Sequence, residues 1–341
     1  MYAIAVTAPN QLAVVEVPAP TPGPYDALLR TEAACLCNST DRKLIEGHFP
    51  GIEQYPLLLG HETVGCVESV GEKVRNFAVG DRVVGGLLLQ STSPDYASGW
   101  GGFSQYILAT DHDAMVADGV ADAEHGWIEV HEIMRPVTHD IPLEAAVMLC
   151  TWREVYSAFD DFHLRLGQDI VIFGGGPVGL SFVKFARLFG LGDIFLVEPR
   201  PARREKALEM GATAVYAPDD IGDLTGRTFD AVIDAVGKES IINTAIPMVK
   251  IGGSVCVYGV IDQSRIDVHH GSGPYNFNLF IHQWPTRAGE KAAQDPLVEW
   301  IQQGVLDHTE FISVEYPIQE IAAAFEYSKT GEPIKTLFRF D

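Results

Sequence analysis

The chain has 341 residues, enough for two domains with sizeable cores, and its 47% apolar content is ordinary for a globular protein. With 46 acidic against 24 basic residues the net charge is −22. A surface of that sign repels nucleic acid and anionic membranes, which excludes both as partners. No charged start followed by an apolar stretch occurs, and no apolar run is long enough to span a bilayer, so neither a secretion signal nor a membrane helix is expected. Five cysteines, an odd number, fit a reducing cytoplasm better than a disulfide framework.

In chain order, residues 2–17 alternate in strand fashion and lead through Pro18, Pro20, Pro22 and Pro24 to a second predicted strand around Ala27–Thr31. Cys35 and Cys37 follow, then the polar run Asn38-Ser39-Thr40-Asp41. Short strands and glycine turns continue to about Leu108, with Gly60-His61-Glu62-Thr63-Val64-Gly65 and the turn-strand Gly80–Val84 among them. A strand is expected to begin at Gly101-Gly102-Phe103. The stretch 118–140 holds His125, Trp127, His131 and His139 without a metal-ligand spacing, and reads as a surface lobe suited to packing on a second subunit. Then comes Leu149-Cys150-Thr151-Trp152-Arg153-Glu154. Cys37, His61 and Cys150 make a good zinc set, because two thiolates and an imidazole leave one tetrahedral position open, as catalytic zinc requires. Cys35 competes with Cys37, since one residue separates them.

From Thr151 to about Gly289 strands alternate with helices, which implies a parallel sheet with right-handed crossovers. The predicted strands are 169–174, 193–198, 213–217, 229–234 and 253–259. Gly174-Gly175-Gly176-Pro177-Val178-Gly179 lies between a strand and a helical pattern. There Gly174 permits the turn, Gly176 lets a pyrophosphate approach, and Gly179 lets helix and strand pack closely. The helix start at Pro177 and Val178 supplies free N–H groups to phosphates. Glu198, 19 residues after Gly179, stands where an acid holds the ribose diol and favours NAD. Arg200, Arg203 and Arg204 could instead hold the extra phosphate of NADP. Ala235, Val236, Gly259 and Val260 follow the fourth and fifth predicted strands and are further cofactor-contact candidates.

The His61 and Cys150 segments together resemble the zinc signature of the medium-chain alcohol dehydrogenases, and the likeness runs to Phe340. The resemblance implies an α/β architecture. A GroES-like distorted barrel (1–150 and 290–341) would carry one catalytic zinc, and a Rossmann domain (151–289) would bind NAD, with NADP the alternative. It implies a cytoplasmic homodimer or homotetramer that transfers a hydride from a small-molecule secondary alcohol to NAD, the alternatives being an NADP-linked aldehyde or ketone reductase with the same zinc site and a non-enzymatic binding protein on the same fold. It selects Cys37 over Cys35 as ligand and makes Glu62 either a neighbour of the ligands or one that exchanges with water. It gives Ser39 the first step of a proton relay, with Thr40 competing because this chain carries one extra residue after Cys37. The relay's usual histidine is missing, with Arg42 or Lys43 near its place. No structural zinc is expected, since residues 87–100 lack the four cysteines many relatives carry there. Arg153 and Glu154, where the yeast-type enzymes have apolar residues, point either to a polyol or sugar substrate or equally to an ordinary ion pair at the start of the interdomain helix. The segment 269–278 is polar and aromatic, a loop of undecided role.

Overall fold

The computed structural model describes residues 1–340. The chain divides into two compact units, Met1–Arg153 with the chain from Arg287 onward, and Glu154–Thr286. None of the helices is long and apolar enough to cross a membrane.

In the first unit, Tyr2–Ala8 and Gln11–Glu16 form an antiparallel hairpin turned at Asn10, whose φ is +64°. The strand Asp26–Leu36 is longer than its sequence signal and is the hub of the larger sheet. It pairs antiparallel with Glu62–Val70, Tyr106–Thr110 and Lys335–Arg339. Two apolar clusters fill this unit. One is built on Ile4, Leu44, Phe103 and Phe338, the other on Ala27, Leu29, Val83 and Ile107. The strand expected from Gly101 begins only at Tyr106. Gly101 and Gly102 instead make a turn, in which Gly101 has φ +59°.

The lobe at 118–140 is only half a surface feature. Residues 121–130 are largely exposed, but Arg135–Val137 joins the large sheet as its edge strand, and His131, Ile133, Met134 and Val137 are buried. Its apolar positions are needed by the barrel, which is why the segment is not a detachable loop. Burial pushes the His131 imidazole down to about 4, against the attraction of Asp26 and with the repulsion of His112. The unfolded imidazole takes up its proton near pH 6.5 and the folded one only near 4. Stability from this group is therefore whole above pH 6.5 and is lost as pH falls through that window, by on the order of 3 kcal/mol. Urea unfolding at pH 7.5 and pH 5 should show about 2 kcal/mol of this loss in the wild type and a smaller one in His131→Gln.

The second unit is a six-stranded parallel sheet. Its spatial order is Ala214–Tyr216, Ile194–Val197, Ile170–Phe173, Phe229–Asp234, Val249–Val257, Asn278–Ile281. In chain order that is 3-2-1-4-5-6, and the direction of progression reverses between Ile170–Phe173 and Phe229–Asp234. Such a switch point opens a crevice at the carboxyl ends of the strands. The sixth strand, Asn278-Leu279-Phe280-Ile281, follows the polar segment at the sheet edge and has none of its four residues buried, so it lacks the continuous apolar run that announces Ile170–Phe173 and Ile194–Val197.

Candidate active site

Strand register gathers the residues of the first unit's site. Cys35 pairs with Glu62 on one side of the hub strand, and Leu36 pairs with Thr336 on the other. The next residues along, Cys37, His61 and Lys335, therefore meet at one end of three strands. Gly60 makes the approach possible. Its φ is +105°, and a Cβ there would lie 2.2 Å from the Phe103 ring, so only glycine delivers His61 at this point.

The ligand atoms of Cys37, His61 and Glu62 lie within 4.8 Å of one another. Cys37 and His61 are partly open to solvent and Glu62 is buried. Behind them, Asp41 on the short helix Thr40–Glu46 accepts from the Cys37 N–H at 2.8 Å and contacts His61 Nδ1 at 3.1 Å. With Nδ1 occupied, Nε2 is the ring nitrogen available to a metal, the usual arrangement of carboxylate, imidazole and zinc. Burial disfavours a charge on His61, but Asp41 and the Cys37 sulfur outweigh it and hold the imidazole well above its ordinary value. The Thr40 N–H donates to the Cys37 sulfur at 3.4 Å. Ser39 is the helix N-cap yet does not use its hydroxyl as a cap, whereas Thr40 is buried.

Two residues of the site were not read from the sequence as functional. One is Asp41, noted only within a polar run. The other is Lys335, 2% exposed, whose ammonium donates to Glu62 at 2.7 Å and to the Thr151 hydroxyl at 3.2 Å. Thr151 in turn donates to Glu62 at 3.1 Å. Burial works against the Lys335 charge, but Glu62, Cys37 and Cys35 overcome it and hold the ammonium well above its ordinary range.

Cys150 is not one of the three converging atoms. Its thiol donates to the Thr63 carbonyl at 3.6 Å, and burial pushes its pKa up to about 12. It lies beside the site, since the neighbouring Thr151 touches Glu62, but it is turned to the backbone. Cys35 is fully buried, and burial likewise raises its thiol well above the ordinary value. Arg153 does not face a cleft. It is completely buried and donates to the Leu149 and Ile133 carbonyls and to Gln294, with Glu290 at 3.9 Å. Half of the sequence-based ground for a polyol substrate is thereby withdrawn, because this guanidinium is committed to the fold.

In the second unit, Gly174-Gly175-Gly176 leaves the central strand, and Gly176 caps the helix Pro177–Leu188 with Pro177 in its first turn. A Cβ at Gly179 would lie 1.7 Å from the Gly174 carbonyl oxygen, so helix and loop pack as the glycine fingerprint requires. Glu198, 3% exposed, accepts from the Gly175 N–H at 2.7 Å and the Arg200 N–H at 2.9 Å. Arg203 donates to the Gly175 carbonyl at 3.3 Å, and Arg204 to the carbonyls of Glu198 and Pro199. Arg200 keeps a half-exposed guanidinium 3.7 Å from Glu198. Across the switch point, Asp234 accepts from the N–H groups of Val236, Gly237 and Lys238, which shapes the turn holding Ala235 and Val236. A Cβ on Gly259 would lie 2.1 Å from the Gly237 nitrogen, so the turn before Val260 abuts that one.

The donor set suits zinc: sulfur, imidazole and carboxylate converge, a second carboxylate orients the histidine, and one side is open to solvent. Comparison with known proteins agrees. Residues 23–118 match the alcohol dehydrogenase GroES-like domain, and residues 177–280 match the zinc-binding dehydrogenase domain. An NADP-dependent isopropanol dehydrogenase of Thermoanaerobacter brockii is 33% identical, over 75% of this chain and 74% of that protein. An alcohol dehydrogenase of Cupriavidus necator is 26% identical, over 96% and 94%. The structure of alcohol dehydrogenase TADH from Thermus sp. ATN1 superposes with a TM-score of 0.81 at 24% identity, covering 99% of both chains, which shows the shared fold. From the two matched domains and the identity to the T. brockii protein, the chain belongs to the zinc-dependent medium-chain alcohol dehydrogenases and is an oxidoreductase that uses a nicotinamide cofactor on a small-molecule substrate.

Proposed function

We propose that the protein is a zinc-dependent, NAD-preferring secondary-alcohol dehydrogenase. The observation that carries the reading is the convergence of Cys37, His61 and Glu62 with Asp41 behind the histidine. Cys37 and His61 would hold the zinc, with the third place taken by Cys150 after its thiol leaves the Thr63 carbonyl, or by Glu62, which Lys335 holds beside them. When bound, zinc supplies a Lewis acid that polarises the substrate oxygen and lowers its pKa. The chain's own residues do the rest. Asp41 fixes the imidazole, Lys335 balances the charge of a thiolate- and carboxylate-rich site, and the Ser39 hydroxyl, which makes no cap hydrogen bond, would relay the alcohol proton by accepting it and passing its own to solvent. The T. brockii relative's named substrate, a secondary alcohol, supports that class over a polyol, as does the burial of Arg153.

That relative is named NADP-dependent, and the cofactor reading here differs because of Glu198. Its carboxylate is anchored by two backbone N–H groups next to the phosphate loop, where a 2′-phosphate would meet a buried negative charge. Wild type should reduce NAD in preference to NADP with secondary alcohols. Glu198→Ala should lower kcat/KM for NAD more than tenfold, because each lost hydrogen bond to a charged group costs about 1.5–3 kcal/mol. Arg200→Ala is the control. An NADP preference in the wild type that disappears in Arg200→Ala would reverse the assignment.

A further inference from the structure

Trp100 touches the candidate metal site from a backbone conformation that large side chains rarely adopt. Its φ is +68°, and strain of this kind persists where the surrounding structure over-determines it, commonly at functional sites. Hydrogen bonds hold it from both sides. The N–H groups of Gly99 and Gly101 both donate to the Leu58 carbonyl, at 2.7 and 3.3 Å. The Trp100 carbonyl accepts from Leu88 at 2.8 Å, and Gly102 donates to the Gly60 carbonyl at 2.7 Å. The segment that carries Trp100 is thus fastened to the segment that ends in His61.

The result is an indole 5.6 Å from the His61 ring, inclined at 57°, with the Phe49 ring 5.5 Å away and nearly perpendicular. Trp100 is only partly buried, although it packs on both apolar clusters of the first unit. A tryptophan serving the core alone has no need of a strained backbone or of solvent at one side. With Asp41 on Nδ1, the imidazole that would carry the metal has the indole's broad, largely apolar surface as a ring neighbour.

We propose that Trp100 is a specificity-determining residue that limits the size of the carbon substituents flanking the alcohol. The proposal rests on the dehydrogenase reading above and goes beyond it by naming the substrate's shape. The test pairs a substrate ladder with a measurement that needs no turnover. Propan-2-ol, butan-2-ol and 1-phenylethanol are compared in wild type, Trp100→Phe and Trp100→Ala, with zinc content measured for each. The kcat/KM ratio of 1-phenylethanol to propan-2-ol should rise at least tenfold in Trp100→Ala and by less in Trp100→Phe. Separately, Co²⁺ added to the metal-depleted chain should quench tryptophan emission more in the wild type than in Trp100→Phe. Equal quenching would remove Trp100 from the metal site. A uniform loss of kcat/KM at an unchanged ratio would make it a packing residue only, and either result overturns the proposal. Should Trp100→Ala fail to fold, the ratio in Trp100→Phe decides. A wild type that quenches normally yet oxidises no alcohol overturns the dehydrogenase reading itself, a result distinct from an unchanged ratio in active variants.

Discussion

His61→Ala should abolish alcohol oxidation while NAD still binds, because His61 lies in the first unit and the glycine loop in the second. The polarisation lost with the metal is worth several kcal/mol, so turnover should fall on the order of a thousandfold or more. Binding of NADH, followed by quenching of tryptophan emission, should change little. The same experiment tests the third ligand when Co²⁺ replaces zinc. Cobalt bound by thiolates shows a near-ultraviolet charge-transfer band whose intensity follows the number of sulfur ligands. If Cys150 joins Cys37 on the metal, Cys150→Ser should roughly halve that band and stop turnover. An undiminished band would leave Cys37 as the sole sulfur ligand and give the third place to Glu62, the carboxylate that already converges with Cys37 and His61. Zinc content should be about one per chain, as one three-ligand catalytic site implies.

Lys335→Met should strongly destabilise the first unit. It strands the Glu62 carboxylate, itself only 6% exposed, without its cation. Removing one partner of a buried ion pair costs about 3–5 kcal/mol. Lys335→Met combined with Glu62→Gln should recover most of the loss, since neither charge is then left alone. Urea unfolding of the four proteins checks this. A double variant no more stable than Lys335→Met would show that the two residues are not coupled.

How much of this was legible in the sequence depends on distance along the chain. Cys37 with its polar turn, His61 between Gly60 and Glu62, and the glycine fingerprint are local patterns, and each announces a local geometry. Lys335 is not of that kind. It reaches Glu62 from 273 positions away, and only the pairing of Leu36 with Thr336 brings it there. Arg153 shows the reverse difficulty. A charged residue on a helix next to a ligand looks like a substrate contact until its partners, Ile133 and Gln294, are known from the fold. The late start of the strand at Tyr106 has a local cause: the turn that positions Trp100 and the Gly102-to-Gly60 hydrogen bond use up the residues that alternation would have assigned to it.

The buried carboxylate of Glu290 carries a consequence for how the gene could be cut. The chain leaves the first unit after Arg153 and re-enters it at Arg287, and both side chains reach Glu290, at 3.9 and 2.6 Å. Exit and re-entry points are therefore neighbours. A glycine-serine bridge of about six residues, spanning on the order of 20 Å, can join them. The cofactor half, Glu154–Thr286, is continuous and can be expressed as a separate polypeptide, while the bridged remainder keeps every residue of the metal group. The architecture is that of a module inserted at one point of a host, so the interior module can be exchanged for one of different nucleotide preference without re-engineering the zinc ligands.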